Sequence, residues 1–224
     1  MSNILTKNLA ESPASTIKKP FAMIGISPFN SYFSAEKILQ ICEWINNEYE
    51  EFAIFIPTQI SKYTLQALGY TESRIHQKVR KQDNYTLSKT KKALAEFYSK
   101  YPDNNEVKIH TIATLREQQA FQDLYKIYSE LFNNDPEYRQ GCLNTSEWVL
   151  LSSGNPKNII IEDSQKILAV QYFLTELPLM LNVPKILAVD SCDFVYQVIP
   201  EFLQQLYQQK ELVSDKQRFL ILGG

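Results

Sequence analysis

Apolar and polar positions along this chain follow two periods. Short, almost continuous apolar runs of strand length occur at 21–26, 52–57, 106–111, 185–189 and 218–222. Longer stretches between them repeat their apolar positions every 3.6 residues or so, which predicts helices at about 35–49, 72–100, 114–132, 145–152, 163–181 and 199–210. Strands that are apolar throughout and are separated by helices must be covered on both faces. The fold class expected is therefore α/β, a Rossmann-like, doubly wound parallel sheet of about five strands. The run Asn158-Ile159-Ile160-Ile161 fits equally a further strand or an extended approach to the next helix. Residues 1–19 are polar and are expected as a flexible N-terminal segment, with 20–224 as one domain.

The stretch from Phe21 to Ser34 organises the rest. Its apolar run ends at Ile26, Ser27-Pro28-Phe29-Asn30-Ser31 is turn chemistry, and Ser34 suits the N-cap of the next helix. A hydroxyl at that point stands at the carboxyl end of a sheet strand, where ligands bind in open α/β folds. The residues alone leave two readings of Ser27, a ligand-facing hydroxyl and the start of an ordinary turn.

On the helix over 72–100, Arg74, Lys78, Lys81, Lys89 and Lys92 fall within one arc of about 80°. Across 71–100 eight Lys and Arg stand against three Asp and Glu, a local charge of +5; the whole chain carries −2, so the remainder carries −7. Such a stripe suits a phosphate backbone, the alternative being a Lys-rich solvated face. Asp83-Asn84 marks a point where the helix is open to a break.

A second constellation is Tyr172-x-x-x-Glu176-x-Pro178. Tyr172 and Glu176 are four residues apart and project from one helix face, among Leu168, Phe173, Leu174, Leu177 and Leu179. A carboxylate in that setting needs a cationic partner or takes up a proton, and no Lys or Arg is close in sequence. A substrate ammonium would serve; a surface Glu beside a packed Tyr is the other reading. Val195-Tyr196-Gln197 is expected as a loop at the carboxyl edge of the sheet, past a strand ending near Val189.

Composition narrows the field. A chain of 224 residues with 44% hydrophobic content can bury a full core. Two histidines, His76 and His110, and three scattered cysteines, Cys42, Cys142 and Cys192, give little material for a zinc site or a Ser-His-Asp triad. They imply reduced thiols and a cytoplasmic protein. The sequence lacks a nucleotide-type glycine loop and a signal peptide, and no apolar run reads as a membrane span. Neither a metal nor a cofactor is expected.

Taken together, Gly25-Ile26-Ser27-Pro28-Phe29-Asn30-Ser31-Tyr32-Phe33-Ser34, Tyr172-x-x-x-Glu176-x-Pro178 and Tyr196 resemble the cyclodipeptide synthases from about residue 20 to the end. The resemblance implies a fold similar to the catalytic domain of class Ic aminoacyl-tRNA synthetases, without ATP binding and typically monomeric. It also implies a ping-pong reaction on two aminoacyl-tRNAs. Ser27 takes the first aminoacyl group, Tyr172 and Glu176 hold its ammonium, and Tyr196 positions groups and relays a proton. By the same resemblance Lys78, Arg80, Lys81, Lys89, Lys91 and Lys92 contact tRNA, and Met23, Gly25, Ile54, Ile112, Leu179 and Phe194 line an apolar pocket for the first aminoacyl side chain. Asn30 matches the Asn-Tyr-His pattern of one subfamily. Gln197 stands where that pattern has His and the other subfamily has Pro, so any role of Gln197 is orientation rather than titration. Two other functions remain open on these residues, a tRNA- or polyanion-binding module without chemistry and a serine esterase acting on aminoacyl-tRNA.

Overall fold

The protein is described from a computed structural model covering residues 4–9, 17–152, 160–210 and 212–223. Six strands form one parallel sheet: β1 (Ile4–Asn8), β2 (Lys19–Gly25), β3 (Tyr49–Ile56), β4 (Lys108–Thr111), β5 (Cys192–Tyr196) and β6 (Gln217–Gly223), in the order β1-β6-β5-β2-β3-β4. The helices are α1 (Ala35–Glu48), α2 (Ser61–Ala67), α3 (Glu72–Lys100), α4 (Ile112–Arg116), α5 (Gln119–Asn134), α6 (Pro136–Ser152), α7 (Asp163–Leu187) and α8 (Glu201–Gln209).

Period two along the strands separates two cores. Ala22, Ile24, Ile54, Ile56, Val195 and Leu220 face α1 and the second half of α3, where Ile38, Ile41, Ala93 and Phe97 pack. Met23, Ala53, Phe55, Phe194 and Phe219 face the other way, onto α5, α6, α7 and α8. The doubly wound α/β class is thus as expected, with one strand more. That strand is β1: residues 4–8 belong to the segment expected to be flexible, yet they pair parallel with β6 from Ile4–Phe219 to Asn8–Gly223. Residues 10–16 of that segment lie outside the described residues, as do 158 and 159 of the ambiguous apolar run; Ile160 and Ile161 precede α7 without regular structure.

One strand was expected in the wrong place. Residues 185–189 have strand composition, but 185–187 are the last turn of α7, whose regular backbone breaks at Asn182 (φ −147°, ψ 42°) and restarts at Pro184. Pro184 donates no backbone hydrogen bond to Met180, and Gln217, fully buried on β6, takes over. Its side-chain amide donates to the carbonyls of Leu179 and Met180 and accepts from the Val183 N–H. The strand itself is Cys192–Tyr196, disguised by an aspartate that disfavours strands. Asp193 is 3% exposed and neutralised by Arg218 at 2.7 and 2.9 Å, with the Tyr49 hydroxyl donating at 2.6 Å.

The helix over 72–100 runs unbroken. Asp83 does not interrupt it, because its carboxylate is turned onto the loop after β3 and accepts the Gln59 N–H at 2.9 Å. The 25-residue α7 has the length and apolarity of a membrane span, contrary to the sequence expectation, but most of it is buried against the rest of the protein.

Candidate active site

Chain direction fixes where a site can form. From β2 the chain passes through α1 to β3 on one side; from β4 it returns through α4–α7 to β5 on the other. The sheet order therefore reverses between β2 and β5, and a crevice opens beyond their carboxyl ends. Ser27 follows β2 and Tyr196 ends β5, so the topology puts these two residues side by side.

The Tyr196 hydroxyl donates to Ser27 Oγ at 2.8 Å, and Tyr172 on α7 brings its hydroxyl to 3.5 Å from the same oxygen. Glu176, one turn further along α7, is hydrogen-bonded to Tyr172 and is 6% exposed. Asn30 completes the set. Its carbonyl oxygen accepts the Tyr32 N–H at 3.0 Å, which fixes the side chain, and it hydrogen-bonds the Tyr196 phenol. Three segments remote in sequence, the loop after β2, α7 and the end of β5, thus converge on one hydroxyl, and Ser27, Tyr172 and Tyr196 are each only half-buried. Gln197 is half-buried directly beyond Tyr196, but among the described residues no hydrogen bond joins it to this set.

Gly25 makes the close approach possible. A Cβ there would stand 3.2 Å from both Phe194 Cζ and Tyr196 Cδ2. The Tyr196 ring is held from the other side by Phe33, with centroids 5.7 Å apart.

Electrostatics single out Glu176. Burial pushes its carboxyl up to about 8, against a partial lowering by the Tyr172 hydrogen bond. No Lys or Arg among the described residues forms an ion pair with it. Burial likewise raises Tyr196 to about 12, and it raises Tyr172. At neutral pH all three side chains are largely protonated, so the crevice holds a latent negative charge that a cation would release.

Of the six residues expected to line a pocket, Met23, Ile112, Leu179 and Phe194 pack in the core cluster on the α7 side of the sheet, and Gly25 touches Phe194. Ile54 does not join them. It pairs with Ile24 and points into the opposite core. Met23 is registered with Ala53 and Gly25 with Phe55, so Phe55 and Ala53 occupy the pocket side. Strict alternation, already legible in the sequence, carries that correction.

On α3, Lys78, Arg80, Lys81, Lys91 and Lys92 are exposed, as is Arg74, which extends the set toward the helix start. Lys89 is not part of this surface: it is 9% exposed, burial lowers its pKa, and its ammonium lies 5.2 Å from the centroid of the Tyr85 ring. The three cysteines are free and buried. Two surface cavities, of about 470 and 580 Å³, lie between α6 and α8 and at the amino end of β3, away from Ser27.

A family model described as cyclodipeptide synthase matches residues 9–223. The chain is 29% identical to a cyclo(L-leucyl-L-leucyl) synthase of Staphylococcus haemolyticus, over 98% of this chain and 93% of that protein. A crystal structure of a cyclodipeptide synthase from Bacillus thermoamylovorans superposes with a TM-score of 0.80 at 26% identity, covering 90% of this chain and 87% of that one. Two further structures share the fold at lower identity. One, from Mycobacterium tuberculosis, is described as showing that such synthetases are related to type I tRNA synthetases (TM-score 0.77, 21% identity, 89% and 84% covered). The other, from Candidatus Glomeribacter gigasporarum, is a cyclodipeptide synthase bound to Phe-tRNAPhe (TM-score 0.62, 14% identity, 93% and 90% covered).

Proposed function

The chain belongs to the cyclodipeptide synthase family, and from that premise we propose that it joins two aminoacyl groups, each delivered by tRNA, through covalent intermediates on Ser27. The observation that carries this reading is the convergence of the Tyr196 and Tyr172 hydroxyls on Ser27 Oγ beside a buried, unpaired carboxyl.

Ser27 Oγ attacks the ester carbonyl of the first aminoacyl-tRNA, and the ribose oxygen leaves with the proton. An aminoacyl ester is already activated, so a hydroxyl network without histidine suffices. The α-ammonium of the bound aminoacyl group sits by Glu176, whose carboxyl ionises as the cation arrives. The first α-amine, its residue still esterified to Ser27, then attacks the ester carbonyl of the second aminoacyl-tRNA; that tRNA's ribose oxygen leaves with the proton, giving a dipeptidyl-enzyme. That attack requires the first α-amine to be neutral. Glu176 titrates at about 8, close to an α-amino group at roughly 7.7–8.0, so the proton passes between them at little cost. The free α-amine of the second residue then attacks the Ser27 ester carbonyl, the diketopiperazine forms, and Ser27 Oγ leaves and regains its proton. Both ends are held in one crevice, which makes the last step effectively unimolecular.

Met23, Phe55, Ile112, Leu179 and Phe194, apolar residues on that side of the sheet, suit an uncharged, apolar first residue, since a charge there would lie unpaired. The named activity of the Staphylococcus haemolyticus relative supports this choice. The exposed cations of α3 bind the tRNA backbone rather than bases, so one surface serves different tRNAs. The protein acts in the cytoplasm, where its substrates are, as a monomer.

The test is direct. Mixing with leucyl-tRNA should add one leucyl group to the protein, seen by intact mass spectrometry and mapped to Ser27. Expression in a bacterium should yield a leucine-containing cyclic dipeptide, and Ser27→Ala should abolish both. An adduct elsewhere, or undiminished product from Ser27→Ala, overturns the reading.

A further inference from the structure

Phe29 is an anomaly at the mouth of the crevice. It lies in the tight turn Pro28-Phe29 with φ of 61°, the left-handed region, and is 51% exposed. Proline followed by a positive φ is the pattern of a type II turn, whose third position favours glycine or asparagine. A bulky side chain there is strained relative to glycine. The residues around it obey the usual rules: Ile26, Pro28 and Phe33 are buried. Phe29 therefore combines backbone strain with an apolar ring turned to solvent, and neither stabilises the fold. Among the described residues, its ring stacks on no other. Strain retained against folding points toward function.

Position supplies the ligand. Phe29 is two residues from Ser27, so their Cα atoms are at most about 7 Å apart. On the aminoacyl-tRNA reading, on which this inference rests, the ester carbonyl must come within roughly 3–3.5 Å of Ser27 Oγ. That ester is carried by the ribose of the 3′-terminal adenosine, so the adenine lies one sugar ring from the reacting carbon. A flat aromatic base then rests just outside the crevice, within reach of the loop that follows β2. The exposed cations of α3 suit phosphates. We propose that the Phe29 ring is the platform on which the 3′-terminal adenine of aminoacyl-tRNA stacks while Ser27 takes the aminoacyl group. Because every tRNA ends in the same adenosine, this contact distinguishes a tRNA end from other esters without restricting which tRNA is used. Stacking on an aromatic side chain needs no hydrogen-bond partner and suits a half-exposed ring.

The experiment compares two leucylated RNA minihelices, one ending in adenosine and one in an abasic ribonucleotide, as donors to Ser27 in single-turnover acylation followed by intact mass. Wild type should acylate faster from the adenosine RNA by about 5- to 150-fold in kcat/KM, the range expected for one stacked base. Phe29→Gly should react equally with both RNAs and should be no less heat-stable than wild type, since glycine relieves the turn. Phe29→Trp should keep the preference. A Phe29→Gly protein that still prefers the adenosine RNA overturns the inference, as does a wild type that acylates equally from both. Absence of a Ser27 adduct from either RNA overturns the aminoacyl-tRNA reading itself, and the adenine platform with it.

Discussion

The buried carboxyl of Glu176 makes a prediction in which stability and activity move in opposite directions. Its ordinary value is 4.5 and burial raises it to about 8. A group whose pKa is raised on folding favours the native state fully only below the unfolded value, and that contribution is lost as pH rises through the folded value. The window is pH 4.5 to 8. At pH 7, some two and a half pH intervals into it, the wild-type carboxyl costs about 3 kcal/mol relative to a neutral isostere, at 1.36 kcal/mol per interval. Glu176→Gln keeps the shape and an oxygen able to accept from Tyr172, and carries no titration. The variant should therefore match wild type near pH 4.5 and exceed it in Tm by about 6–12 °C at pH 7, at roughly 2–4 °C per kcal/mol for a chain of this size. It should make no cyclic dipeptide, because an amide neither attracts the ammonium nor accepts its proton. Calorimetry at pH 5, 6, 7 and 8 reads the first effect and product mass spectrometry the second. A Tm difference that does not grow with pH would refute the picture of a neutral, unpaired acid in the free enzyme.

Other consequences follow from the same geometry. Tyr196→Phe removes the 2.8 Å donor to Ser27 Oγ and should slow single-turnover acylation about 100-fold, with circular dichroism and Tm little changed. Gly25→Ala places a methyl 3.2 Å from the rings of Phe194 and Tyr196. It should cost about 1–3 kcal/mol in denaturant titrations and slow acylation by displacing Tyr196; full activity would mean that this close approach is dispensable. Replacing Lys78, Lys81 and Lys92 together by alanine removes three exposed cations from α3. It should raise KM for aminoacyl-tRNA and flatten the log–log dependence of binding on salt by about 2, as expected for three fewer phosphate contacts.

Much of this protein is legible in one dimension. Apolar runs and 3.6-residue patterns mark β2, β3, β6, α1 and α3, because each depends mainly on its own composition and on having two faces to bury. Glu176 is readable as a carboxylate in want of a cation, since the leucines that surround it on α7 are its sequence neighbours. The motif that carries the family resemblance is local too: Ser27, Phe29 and Asn30 share one turn.

Tertiary structure decided the rest. Residues 185–189 read as a strand until Pro184 and Gln217 make them the end of a helix, and the buried Gln217 lies more than thirty residues away in sequence. Cys192–Tyr196 is a strand because Arg218, Tyr49 and Lys19 neutralise Asp193 from other elements. Ile54 turns away from the crevice because register with β2 assigns its face, and Lys89 leaves the cationic surface because α3 buries that side of itself at its middle. The residue types that perform chemistry are a property of the chain. Their meeting at one hydroxyl depends on strand order and on interactions between distant segments, whose free energy no local pattern records.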